Sequence, residues 1–133
     1  VINRRTFPQN AASVSAARRF AAATLDNVPS EVVEAVALMV SELATNAVEH
    51  AASEFELVVE HDTDRVLVTV SDRGGGRARA RHPRVSDPSG RGLQIVGALA
   101  HEWGERAPTG EWQKSVWFSV VLRQSSSARS ARQ

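Results

Sequence analysis

Glu42-Leu43-Ala44-Thr45-Asn46-Ala47-Val48-Glu49-His50 is the stretch on which the fold turns. Its apolar residues continue the series Val33, Val36, Val40, Leu43 and Ala47, which recurs at the helical period and predicts an amphipathic helix. Glu42, Asn46 and His50 follow at intervals of four, so they form a polar row along the border of the apolar stripe. Read alone, such a row is more commonly a helix margin satisfied by water. Two later stretches change its weight. Asp72-Arg73-Gly74-Gly75-Gly76 leads from a valine-rich segment into glycines, and Ser89-Gly90-Arg91-Gly92-Leu93 leads from glycines into an apolar-periodic segment. Each is common by itself; the three in this order are not.

The remaining elements are read outward from there. Ile2 to Phe7 predicts a short edge strand, ended by Pro8, which cannot continue a ladder. Asn10 is placed to cap a helix running to about Leu25, with Val14, Ala17, Ala21 and Leu25 on one face. Ser30 caps the second helix, whose first turns carry Glu31 and Glu34 at the positive dipole end. Phe55, Leu57 and Val59 alternate with Glu54, Glu56 and Glu60, and Val66, Val68 and Val70 form a second inward row beyond a turn at His61 to Asp64. Residues 77–89 read as a mobile loop, Arg91 to about Ala100 as a third helix, Trp103-Gly104 as the start of a short strand and Val116 to Leu122 as a final strand. The tail from Gln124 to Gln133 has the composition of a disordered segment, leaving residues 1–123 as the domain. Strands joined by tight turns, with about three helices on one face, give a two-layer α+β sandwich with a mixed but mostly antiparallel sheet.

Composition narrows the function classes. The 133 residues carry a net charge of +1, which offers no global field for nucleic acid or an anionic membrane. Cysteine is absent, which excludes disulfides, thiolate metal sites and a thiol nucleophile. No apolar run nears the roughly 20 residues of a membrane span and no leader is visible, so the expected setting is the cytoplasm. Lysine occurs once, at Lys114, and arginine carries the rest of the positive charge. Arg77, Arg79, Arg81, Arg84 and Arg91 gather near the glycine stretches, either as solvated loop charge or as a lid whose guanidinium forks match phosphate oxygens.

Chemistry gives the three stretches a common purpose. An amide oxygen at Asn46 suits Mg²⁺, a hard cation that accepts one or two protein oxygens and fills its shell with phosphates and water. A carboxylate one turn earlier, at Glu42, is placed to take a proton from an attacking hydroxyl or water. Asp72 can accept a hydrogen bond from an exocyclic amine such as adenine N6, and the glycines after it allow positive φ and close backbone approach; the plainer alternative is an Asp-x-Gly turn. The Ser89–Leu93 stretch supplies unpaired N–H groups at a helix start, a cradle for phosphate. Gly-x-x-x-x-Gly-Lys-Ser/Thr is missing, which excludes a P-loop, and neither glycine stretch opens a parallel crossover of the dinucleotide-binding kind.

The order Glu-x-x-x-Asn on a helix, Asp-x-Gly-x-Gly after a strand and Gly-x-Gly before a helix resembles the Bergerat ATP-binding fold of the GHKL superfamily, which includes gyrase, histidine kinases and MutL. Within it the chain looks most like the stand-alone bacterial anti-sigma-factor serine/threonine kinases, through Ala44 to Ala51 and through Trp103-Gly104 with Lys114-Ser115-Val116-Trp117-Phe118. The resemblance implies ATP and Mg²⁺ as ligands, with Asn46 holding the metal and Glu42 activating the acceptor hydroxyl. It implies Asp72 on adenine, Gly74 and Gly76 shaping its pocket, and Gly90, Gly92 and the neighbouring Leu93 at the phosphates. It further implies a sigma factor and a STAS-domain anti-anti-sigma protein as partners, phosphorylation of the latter on serine or threonine, and frequent homodimers. Asp87-Pro88 departs from the subgroup, since some of its kinases carry an arginine there; Arg84 or Arg91 is left to meet the γ-phosphate. Gly75 stands where relatives often carry another small residue or proline. The competing expectation is a nucleotide-gated regulatory module of the same fold without kinase activity. Loss of ATP binding altogether and the catalytic half of a histidine kinase are the lesser alternatives, the last because no phosphoacceptor helix precedes the domain.

Overall fold

The computed structural model describes residues 1–74, 96, 97 and 99–122. Among them five strands form one sheet in the order β1-β2-β3-β5-β4: β1 Ile2–Phe7, β2 Phe55–His61, β3 Arg65–Asp72, β4 Glu102–Arg106 and β5 Lys114–Val121. Every pairing is antiparallel, so the sheet is not mixed at any hydrogen-bonded pair. The β2–β3 hairpin turns where its sequence demands. Asp62 Oδ1 accepts the N–H groups of Asp64 at 2.7 Å and Arg65 at 3.1 Å, closing a side-chain turn. Those two bonds favour the charged carboxylate and hold Asp62 below the usual aspartate range.

Register then builds the core. Leu57 faces Val70, Val59 faces Val68, and across β3 Val68 faces Phe118 while Val70 faces Val116. Side chains of period two therefore line one face as a continuous apolar surface, with Phe55, Leu57, Val59, Val66, Val68 and Phe118 fully buried. The first helix, α1, spans Ala12–Ala23 and the second, α2, spans Ser30–Asn46. They cover that face with Ala17, Ala21, Val36, Met39, Val40, Leu43 and Ala44. Phe7 stacks on Phe55 with ring centroids 5.3 Å apart and meets Phe20 edge-on at 6.0 Å, which ties the edge strand to α1.

Several expectations shift in detail. Ala11 holds the cap position of α1 rather than Asn10, although Asn10 Oδ1 accepts the Ser13 N–H at 3.2 Å from one residue earlier, and the helix stops at Ala23. Ser30 does not cap α2: it is the first helical residue, and extended Pro29 (φ −54°, ψ 141°) holds the cap position without a side-chain bond. Proline fits there because it lacks the N–H that a helix start leaves unpaired. The third helix lies mostly outside the described residues, which retain helical Val96, Gly97 and Leu99 and the bond from Ala100 N–H to Val96 C=O at 2.8 Å. Because β3 and β4 both run antiparallel to β5, they run parallel to each other with β5 between. Val96, six residues before β4, is buried in the same core. The expected tail lies outside the described residues, as does the loop 77–89. Among the described residues no helix is long and apolar enough to cross a membrane.

Candidate functional site

Three elements meet at one end of the sheet. Asp72 is the last residue of β3, Lys114 the first of β5, and the register places them directly opposite. Asn46 ends α2 above them. With Leu43, Val70 and Val116 they line a cavity of about 10 Å³, room for a single water molecule. The Glu-x-x-x-Asn helix and the Asp-x-Gly turn, 26 residues apart at Asn46 and Asp72 in the chain, thus share a wall in space.

The polar atoms here are held in specific ways. Asp72 is 3% exposed; its Oδ1 accepts the Gly74 N–H at 2.8 Å, and its backbone C=O accepts the Gln113 N–H at 2.8 Å. Its other oxygen, Oδ2, lies 3.8 Å from the Lys114 ammonium. Asn46 Oδ1 is buried and finds no hydrogen-bond partner among the described residues. A buried amide oxygen left unpaired costs about 1–3 kcal/mol, so a hydrogen-bond donor or a cation that reached it would be favoured. The hard oxygen donor fits Mg²⁺, which takes one or two protein oxygens beside phosphates and water.

Below Asn46 the helix changes pitch. Ala47–Ala51 form a single π-helical turn, closed by Ala52 in the left-handed region (φ 54°) with its N–H on the Ala47 carbonyl. The polar row Glu42, Asn46 and His50 therefore does not continue as one α-helical stripe beyond Asn46, a correction to the sequence expectation. The π-turn also brings Ala51 against the acidic turn: a Cβ built on Gly74 would sit 3.0 Å from Ala51 Cβ and 3.0 Å from Asp72 Oδ1. Gly74 is not in the positive-φ region, so it is needed for close approach rather than for a left-handed turn.

Arg73 clamps the neighbouring turn. Its Nε and Nη2 donate to Glu54 Oε2 at 3.2 and 2.7 Å, Nη1 donates to the Glu111 carbonyl at 3.1 Å, and the guanidinium lies 4.6 Å from the centre of the Trp112 ring. Hydrogen bonding to Glu54 raises its already high pKa further. Three features of this end were not singled out from sequence: the Arg73 clamp, the π-turn and the Asp72–Lys114 pair. The lone lysine was the available signal for the last. The tryptophans stay outside the core: Trp103 is exposed, Trp112 lies under Arg73, and Trp117 packs half-buried on the open sheet face, with the Arg106 guanidinium 5.5 Å away.

Of the expected site residues, the structure unites Asn46, Asp72 and Gly74. Glu42 is half-buried one turn before Asn46 but does not line the cavity. Gly76, Arg84, Gly90, Arg91, Gly92 and Leu93 lie outside the described residues. A larger cavity, about 580 Å³, opens at the opposite end of the sheet around Asp26, Pro29 and His61, and none of the described motif residues lines it.

Residues 7–119 match the family model of the histidine kinase-like ATPase domain. The chain belongs to that family, and the family together with the two-layer fold supports ATP binding as its coarse function. Among curated proteins none matches the chain.

Proposed function

We propose that the chain is an ATP- and magnesium-dependent anti-sigma factor and protein serine/threonine kinase of the cytoplasm. It would bind a sigma factor and phosphorylate a STAS-domain antagonist. The observation that carries the nucleotide reading is the buried Asn46 Oδ1, without a hydrogen-bond partner among the described residues, on a residue that lines one cavity with Asp72 and Lys114. The sequence resemblance supports the kinase and its partners.

In this reading Asn46 would hold Mg²⁺, which would supply charge neutralisation at the phosphates, and Asp72 would accept from the adenine amine. Glu42 takes the proton of the acceptor hydroxyl as that oxygen bonds to the γ-phosphorus. The bond from γ-phosphorus to the bridging oxygen breaks, and ADP leaves with the electron pair. Positioning and charge neutralisation carry the transfer, as in phosphoryl transfer generally.

One observation favours the alternative of a nucleotide-gated module without transfer: Glu42 does not line the described cavity. Incubation with γ-labelled ATP, magnesium and candidate STAS proteins separates the two. Label on a STAS serine or threonine, lost in Glu42→Ala with ATP binding intact, is the expected result. Full transfer by Glu42→Ala would remove Glu42 from the base role. ATP-dependent capture of a partner without label would favour the gated module.

A further inference from the structure

We propose that Ser53 is a positioning residue that ties the end of α2 to the turn after Asp72 and so keeps Asp72 aligned with Asn46. This rests on the ATP-binding reading above and adds to it the tether between the two groups assigned to nucleotide.

Two separate segments of chain converge on this one residue. The β2–β3 ladder closes at the pair Phe55–Asp72, so the backbone beyond that pair needs other partners. Ser53, half-buried two residues before β2, supplies them. Its N–H donates to the Ala47 C=O at 3.3 Å, a carbonyl that the Ala52 N–H also reaches. Its Oγ accepts the Arg73 N–H at 3.0 Å and donates to the Glu54 C=O at 2.6 Å. A hydroxyl offers one donor and two acceptor sites, so the bonds are compatible and the proton has a fixed direction. One side chain and two hydrogen bonds thus lead from Ala47 to Arg73, the residues that follow Asn46 and Asp72.

The bond to Arg73 matters because of the peptide it holds. The Asp72 C=O and the Arg73 N–H are the two ends of one planar unit. The carbonyl end accepts the Gln113 N–H at 2.8 Å and the N–H end is held by Ser53, so the plane is gripped from opposite sides. The next N–H along the chain, that of Gly74, pins Asp72 Oδ1 at 2.8 Å. Rotation of the plane would therefore turn the carboxylate as well as the backbone. Arg73 bonds Glu54 through its guanidinium, which leaves the peptide plane to the serine. The close approach of Gly74 to Ala51 limits how near the two segments come, and Ser53 limits how far they part.

Ser53→Ala removes the hydroxyl and keeps the backbone bond to Ala47. Calorimetry with magnesium ATP and magnesium inosine triphosphate reads the effect, because inosine lacks the amine that Asp72 is assigned to accept. The variant should bind ATP about tenfold more weakly than the wild type, the upper worth of one neutral hydrogen bond. Its loss for inosine triphosphate should be smaller, so that the preference for adenine narrows. Ser53→Thr, which retains a hydroxyl, should keep that preference. A purely structural serine would lower the thermal transition and weaken both nucleotides alike. That result would overturn the proposal, as would undiminished ATP affinity in folded Ser53→Ala or equal wild-type affinity for the two nucleotides. Amide hydrogen exchange of the ligand-free wild type needs no variant: the Arg73 N–H should be protected, and exchange at the rate of an open amide would overturn the tether while leaving ATP binding standing. A wild-type chain that binds neither nucleotide would overturn the parent reading and this one together.

Discussion

Gly74 lies against Ala51 so closely that any side chain at position 74 would press on the π-turn: its Cβ would stand 3.0 Å from Ala51 Cβ and 3.5 Å from Ala51 Cα. The contact joins the helix that ends at Asn46 to the turn that follows Asp72, so it sets the spacing of the two groups assigned to nucleotide. Gly74→Ala should therefore destabilise the fold by about 1–3 kcal/mol, as overpacking does, and weaken ATP binding as well. Ala51→Gly in the same chain should recover part of the loss, because it removes one of the two 3.0 Å contacts and leaves that to Asp72 Oδ1. Urea titration of the single and double variants measures both effects. A fully stable Gly74→Ala would mean that the turn moves freely.

Asn46 offers the opposite signature. Its Oδ1 is buried without a partner among the described residues, so the side chain costs stability where it stands. Asn46→Leu should leave the ligand-free protein as stable as before or more stable, by up to about 1 kcal/mol, since removing an unsatisfied acceptor relieves its desolvation cost. Magnesium-ATP at a hundred times its Kd should stabilise the wild type by about 2.7 kcal/mol. The variant should lose most of that gain. Thermal melts with and without the ligand give both numbers, and a large loss in the ligand-free melt would assign Asn46 a structural role instead.

These two residues also show how far the sequence could be read. Alternation at Phe55 to Val59 and Val66 to Val70 specified both inward rows, and the structure buries them through the pairings Leu57–Val70 and Val59–Val68. The place of Asn46 on a helix and of Asp72 at a strand end was legible, because a helix period and a strand end leave clear marks on either side of them. The π-turn was not, because Ala47 to Ala51 has the composition of an ordinary helix end; only the closing left-handed Ala52 breaks the pattern. Nor was the Asp72–Lys114 pair, since register between β3 and β5 depends on how the intervening chain crosses the sheet. The phosphate half of the site, from Gly76 to Leu93, lies outside the described residues and stands as an expectation.

The β2–β3 turn predicts a pH dependence of known sign. Asp62 accepts from the backbone of Asp64 and Arg65, and these bonds lower its pKa in the folded state. A depressed carboxylate contributes stability that is fully present above the ordinary aspartate pKa and is lost as pH falls through the lower folded value. Asp62→Ala should therefore be less stable than the wild type at neutral pH, and the gap should narrow on acidification below the aspartate range. Denaturant midpoints at pH 7 and pH 3 test this. A gap that widened toward acid would contradict the assigned cause.

Lys114 and Asp72 form a pair that is worth little as a pair and much as an obligation. Both side chains are almost out of water, with 3.8 Å between ammonium and carboxylate. Removing one partner strands the other charge, which costs about 3–5 kcal/mol, whereas replacing both is often near neutral. Lys114→Met alone should thus lower stability by about 3 kcal/mol, the low end of that range, because the pair sits at the strand ends beside a small cavity. Asp72→Asn added to Lys114→Met should return most of the loss: the amide keeps an oxygen for the Gly74 N–H and carries no charge to strand. The cycle is read from urea unfolding of the wild type, both single variants and the double. Additive losses in the double variant would show that the two side chains stabilise the sheet independently, and the ion pair would then have no part in holding the floor of the pocket.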